Sequence, residues 1–211
     1  MGQYDHIMYQ DETVQRATTY YYRVSAVDAA GQKGPFSLEA SVRTKDAAGT
    51  FGKAEAQSIY SAEYGPELAI DGDPDPYAAW VSAPYGGGTR QAPRDVWLVV
   101  EFPRRMRAPI RGVKIIGDHR EVIPLQKNLQ IQVRDQGAWK TVAQVKGATG
   151  KDIVATWNPP VSTDAVRVFV PAADLPRSDN TAVDGIVRVC ELLLVLPGGE
   201  ETKVADLPPG K

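Results

Sequence analysis

Leu129-Gln130-Ile131-Gln132-Val133 alternates apolar and polar side chains, and after Arg134-Asp135-Gln136 the chain resumes with Gly137-Ala138-Trp139-Lys140-Thr141-Val142-Ala143. Period-two alternation buries one face of a strand, and a short polar interval containing glycine lets the next strand fold back. The same short rhythm recurs at residues 97–102, 110–116, 140–145, 153–157, 166–170 and 187–196. No stretch keeps a helical apolar period over three turns. Strands at regular spacing, parted by Gly, Pro and Asp, predict an all-β, antiparallel sandwich.

The 211 residues suffice for one large domain or two small ones. Hydrophobic residues make up 43% and charged residues 24%, the balance of a soluble globular chain. With a net charge of −2 and no basic stripe, nucleic acid is not an expected partner. No run of about 18 apolar residues is present to span a bilayer. A single cysteine, Cys190, excludes an internal disulfide and reads as a buried free thiol in an apolar strand.

Catalysis needs a nucleophile with its base, or a metal with an open position. The chain has two histidines, His6 and His119, and lacks a His-Glu-x-x-His, a Gly-x-Ser-x-Gly and a Gly-rich phosphate loop. Paired carboxylates gather in Glu67-Leu68-Ala69-Ile70-Asp71-Gly72-Asp73-Pro74-Asp75-Pro76-Tyr77-Ala78-Ala79-Trp80. Asp71, Asp73 and Asp75 offer hard oxygens on a turn stiffened by prolines, which suits calcium; a solvated acidic turn has the same composition. An EF-hand is excluded, because Pro76 and Ser82 stand where its Gly and Glu belong. The expectation is a non-enzyme.

Residues 1–44 carry a separate pattern. Tyr20, Tyr22, Val24 and Ala26 fall on one face of a strand, Ala29-Ala30-Gly31-Gln32 turns the chain, and a last strand follows Pro35-Phe36-Ser37. This segment resembles the second half of a fibronectin type III domain, with Tyr20 in the place of that family's corner tyrosine. Half a sandwich leaves an apolar face wet, so the natural protein is expected to continue N-terminally, the alternative being that a second copy or the following domain covers that face. Residues 45–53 read as a linker, 54–196 as the main domain and 197–211 as a loose polar tail.

Over roughly residues 54–196 the chain resembles the discoidin, or coagulation factor V/VIII type C, family, which includes family 32 carbohydrate-binding modules. Five segments in order carry the likeness. They are Ala69-Ile70-Asp71-Gly72-Asp73 with Trp80 and Ser82, Pro93 to Phe102 around Trp97, the 129–143 hairpin, Ala165-Val166-Arg167-Val168, and Cys190-Glu191-Leu192. The resemblance implies a jelly-roll β-sandwich. It implies a structural calcium ion held by the carbonyl of Leu68, by Asp71 and Asp73, and by Glu191 with the carbonyl of Cys190. Ala78 stands where the family places a ligating Thr, so its carbonyl, or Asp75 in its stead, is the candidate for that position.

The resemblance also implies glycan binding on loops at one end, by terminal galactose-type sugars or another polysaccharide. An aromatic ring packs on a sugar's C–H face while planar Arg forks orient hydroxyls. His119 and Arg120 are the expected donors. Tyr85, Arg90, Tyr77 and Asn180 are further candidates. The implied role is a non-catalytic accessory module of a secreted, extracellular glycan-active enzyme, whose catalytic domain would precede this chain. A protein-interaction or adhesion module, or a packing module, is the alternative. Phospholipid binding is the weakest reading, since the loops present Tyr, Arg and Gly rather than exposed Trp, Phe or Leu.

Overall fold

The computed structural model describes residues 19–43, 52–85, 92–103, 107–118, 126–178 and 184–207. The chain divides into two compact units, Met1–Ala47 and Ala48–Lys211.

In the first unit, β1 (Thr19–Tyr22) pairs antiparallel with β2 (Ala40–Arg43), Thr19 opposite Arg43. The long strand expected from the alternation stops at Tyr22. Beyond it Asp28 draws the chain into a turn, accepting the N–H groups of Ala30 and Gln32 at 2.9 Å each. Tyr20 and Tyr22 stack at 6.3 Å, whereas Val24, Phe36, Leu38 and Val42 are exposed. Among the described residues of this unit the two strands form a single layer, and a single layer has no interior.

The second unit is the antiparallel jelly-roll sandwich that the alternation and the resemblance predict. Its larger sheet contains β3 (Lys53–Ala56), β5 (Val96–Glu101), β7 (Leu129–Asp135), β8 (Ala138–Val145) and β10 (Ala165–Val170). Their order across the sheet is β3-β5-β10-β7-β8. The facing sheet contains β6 (Ala108–Ile116), β9 (Ile153–Thr163), β12 (Glu191–Val195) and β13 (Glu201–Lys203), in the order β13-β12-β6-β9. A small ribbon joins β4 (Trp80–Val81) to β11 (Arg188–Val189).

Alternate residues of each strand point inward and close the core. Val96, Leu98 and Val100 of β5 meet Ile131 and Val133 of β7 and Val166 and Val168 of β10 in the buried cluster. Trp157 joins that core and its Nε1 donates to the Ile110 carbonyl at 3.2 Å. Trp97 and Trp139 are half-buried on the outer sheet face, where Arg167 lies 4.6 Å from the Trp139 ring and 5.2 Å from Phe169.

Two boundaries are corrected. Lys53, assigned to the linker, opens β3 and pairs with Glu101. The tail expected to be loose instead returns to the sheet: β13 pairs with β12, Thr202 opposite Leu194. A 3₁₀ turn, Val204–Asp206, then follows, and Val204 and Leu207 are buried in the core. Those two apolar side chains anchor a segment whose composition is otherwise polar.

Strand direction sorts the connections into two ends. The starts of β7 and β12 and the ends of β6, β8 and β10 lie at one end. The turns after β5, β7 and β9 lie at the other. The acidic turn, bonded to the start of β12, belongs to the first end.

Candidate functional site at the loop end

The acidic turn is built from its own aspartates. Asp71 Oδ1 accepts the N–H of Asp73 at 2.9 Å, Asp73 Oδ1 that of Asp75 at 3.0 Å, and Asp75 Oδ1 that of Tyr77 at 2.8 Å. Three successive Asx turns give the loop a fixed course without a regular element. A 3₁₀ turn, Pro66–Ala69, leads into it and sinks Ala69 and Ile70 into the core.

Gly72 has φ +85°, which favours glycine. Its N–H donates to Glu191 Oε2 at 2.9 Å, so residues far apart in sequence lock the turn onto the first residue of β12. Glu191 is only 2% exposed. Its Oε1 is buried without a hydrogen-bond partner. Burial pushes the carboxyl up to about 8; the Gly72 N–H opposes this, Asp71 and Asp73 add to it, and Lys203 opposes it.

Of the expected calcium ligands, Asp71 and Asp73 lie close enough to Glu191 to raise its carboxyl, and Gly72 between them bonds to it. Cys190 is a buried thiol in no disulfide, as read from its context, and its N–H donates to the Ile116 carbonyl at 2.9 Å. Leu68 sits within the 3₁₀ turn, and Ala78 donates its N–H to the Asp75 carbonyl. Among the described residues, no three His, Cys, Asp or Glu side chains close into a metal cluster. Asp71 and Asp73 each commit one carboxylate oxygen to the backbone. Glu191 Oε1, with Asp71 and Asp73 beside it, is the feature a hard cation would satisfy.

The residues expected to meet a glycan separate. Tyr77 is 73% exposed. Tyr85 is corrected: it is 3% exposed within the core cluster, and its hydroxyl donates to Gln57 Oε1 at 3.2 Å. The loop that looked solvent-facing in sequence turns this ring inward because its backbone is held beneath it. Tyr85 donates its N–H to the Asp184 carbonyl at 3.1 Å. Gly185, at φ +71°, lies so close that a Cβ would come 2.2 Å from the Tyr85 carbonyl oxygen. Arg90, His119, Arg120 and Asn180 lie outside the described residues.

The roots of their loops are nonetheless joined. Tyr85, the last described residue before Arg90, contacts Asp184, the first after Asn180. Asp184 also accepts the Ser178 N–H at 3.0 Å. Asp118, immediately before His119, pairs with Arg188 at 2.7 Å, with side chains 2% and 7% exposed respectively. Arg188 also donates to the Pro76 carbonyl and lies 5.8 Å from the Tyr64 ring, while its Nε is buried without a partner.

This arginine ties the His119 loop, the acidic turn and β11 together. The sequence reading missed it. Its signal was a lone Arg between Val187 and Val189 in an apolar strand, a position that requires a buried carboxylate. A depression of about 250 Å³, lined by Asn128, Gln130, Gln144, Lys146 and Asp174 among others, opens at the same end of β7 and β8. It too was not foreseen.

The opposite end has a different chemistry. Arg134 donates to Glu101 at 2.6 Å and to Asp164 at 2.9 Å. Its hydrogen bond to Asp164 raises the guanidinium further, and the same bond holds the Asp164 carboxyl below its ordinary range.

Comparison with known proteins agrees with this architecture. The F5/8 type C domain model matches residues 53–189. Among solved structures, a family 32 carbohydrate-binding module of Clostridium perfringens NanJ, in complex with galactose, is similar. It has a TM-score of 0.54 and 14% identity, over 69% of this chain and 93% of that one. A mutant of chitosan-binding module 1 from the chitosanase/glucanase of Paenibacillus sp. IK-5 gives a TM-score of 0.51 at 19% identity, covering 67% and 91%. A third structure, from C. perfringens in complex with GalNAc-β-1,3-galactose, gives 0.51 at 14% identity, covering 67% and 93%. No curated protein matches the chain.

Proposed function

We propose that this chain, which belongs to the F5/8 type C domain family, is a non-catalytic glycan-binding module that works through its loop end. The observation that carries the reading is the convergence of loop roots on the buried Arg188–Asp118 pair and the Tyr85–Asp184 contact. Loops anchored at buried roots can present polar groups at fixed spacing, which recognition of hydroxyls demands. Similar structures include modules in complex with galactose and with GalNAc-β-1,3-galactose, and a chitosan-binding module, so galactose-type sugars and amino sugars are the first ligands to test.

In this reading Tyr77 offers its exposed ring to a sugar face, and His119, Arg120, Arg90 and Asn180 donate to hydroxyls. Calcium is structural: bound against Glu191 Oε1 with the carbonyls and acids of the 68–73 turn, it fixes the turn to β12. The module serves a secreted, glycan-active enzyme whose catalytic domain precedes it. It raises the local concentration of substrate beside that domain. The N-terminal segment is a fibronectin type III-like spacer.

A glycan-array screen of the full chain, run in calcium and then in chelator, tests the proposal. Retention of galactose- or amino-sugar-terminated glycans, lost on His119→Ala or Arg120→Ala, is the expected result. Binding that persists in chelator with a lowered melting temperature assigns calcium a structural role. A blank array from a folded chain contradicts glycan binding and favours the protein-interaction reading.

A further inference from the structure

Lys203 lies beyond the residues matched by the family model, on the last strand, β13. Its Nζ donates to the Gly72 carbonyl at 3.2 Å. A Cβ at Gly72 would lie 3.0 Å from that Nζ and 3.4 Å from the lysine Cδ, so the side chain lies directly against the acidic turn. The same glycine donates its N–H to Glu191. The peptide units around Gly72 are thus held from one side by a buried carboxylate and from the other by an ammonium. β13 reaches this position because it pairs with β12, the strand that Glu191 begins, and Val204 and Leu207 bury the chain just after the lysine.

We infer that Lys203 is a tethered cation for the acidic turn, holding the Glu191–Gly72 lock in the absence of a divalent ion and competing with calcium for the turn. The inference deepens the proposed metal site and rests on that reading of the turn and Glu191.

Three observations carry it. Glu191 Oε1 is buried and unpartnered, so the turn is short of a donor or a cation at this point. Asp71 and Asp73 spend an oxygen each on backbone N–H groups rather than converging as ligands. Lys203 brings a cation of the chain's own to the Gly72 side of the turn, on a strand docked by its own apolar residues. Calcium entering the turn meets a like charge that must swing away, a movement open to a flexible, exposed lysine stem. The module consequently keeps its fold without metal and binds calcium more weakly than the acidic turn alone would.

The test compares the full chain with Lys203→Met, Lys203→Arg and Lys114→Met. Lys114 pairs with Glu201 at 3.1 Å on the same sheet and serves as the control for losing a surface ammonium. Calcium affinity is read by titration calorimetry and metal-free stability by melting in chelator. Lys203→Met is expected to bind calcium roughly tenfold more tightly and to melt roughly 2–4 °C lower in chelator. Lys203→Arg and Lys114→Met should behave as the parent.

If no variant binds calcium but Lys203→Met still melts lower in chelator than Lys114→Met, the lysine is the resident cation and the calcium reading fails by itself. If Lys203→Met melts like the parent in chelator and its calcium affinity is unchanged, weaker or absent, the inference is overturned.

Discussion

The two ends of the sandwich each bring acids and arginine together, and they resolve the charge differently. At the end of the β5, β7 and β9 turns, Arg134 divides its donors between Glu101 and Asp164, all three partly open to water. At the loop end, Arg188–Asp118 and Glu191 are almost wholly buried, and Arg188 Nε and Glu191 Oε1 have no partner. A satisfied, hydrated network is an ordinary fastening of turns. A buried group left short of a partner costs stability and persists where a ligand or ion completes it. In the proposed reading the asymmetry separates a structural end from a working end.

The largest expected effect is on the buried pair. Arg188→Ala leaves the Asp118 carboxylate in the interior without its cation and should cost about 3–5 kcal/mol in urea unfolding. A loss below about 1 kcal/mol would mean that the root is wet, and the contrast between the ends would collapse.

Next comes pH. Glu191 is raised in the folded chain to about 8, above its unfolded value. Its contribution is fully present below the unfolded carboxyl range and is lost as pH rises to about 8. Melting temperature in chelator should therefore fall between about pH 4.5 and 8. Glu191→Gln should flatten this slope, since its amide oxygen can still accept the Gly72 N–H. An equal slope in both proteins would remove Glu191 from the account.

Arg134→Met should cost about 1–2 kcal/mol, because water reaches both acids it abandons. The sign of the pH dependence is opposite here. Asp164 is held low by its hydrogen bond to Arg134, so its contribution is present at neutral pH and lost as pH falls through the acid range. Acid titration of the parent and of Arg134→Met should differ there and coincide near neutrality apart from a constant offset. The smallest effect belongs to Tyr77→Ala, expected to change stability by less than about 0.5 kcal/mol while weakening glycan retention. A folded variant with undiminished retention would remove that ring from the proposed contact.

Much of the fold was legible because strand burial is written locally. The alternation of Leu129, Ile131 and Val133 and the apolar run of Leu192 and Leu194 pass directly into the core. Charge pairing is not local. Arg188 finds Asp118 and Pro76 far along the chain, and neither partner can be chosen from sequence without a fold in hand. Tyr85 misled because a loop rich in glycine looks exposed, while contact with Asp184 and Gly185 turns it inward. β13 was hidden because an edge strand of Glu, Thr and Lys carries no apolar alternation; only Val204 and Leu207 beyond it mark the return to the core. The acidic turn stood out at once, yet its link to Glu191 came through resemblance, and Lys203 through neither route.

The central claim is that ligand binds where the charges are buried and incompletely paired. Amide chemical-shift mapping of the full chain during titration with galactose, and then with N-acetylglucosamine oligomers, tests it most directly. The account predicts shifts at Tyr77, Asp118 and Arg188 and silence at Arg134, Gly137 and Asp164. Saturable shifts confined to the Arg134 end, or to the outer sheet face around Trp139 and Arg167, would contradict it.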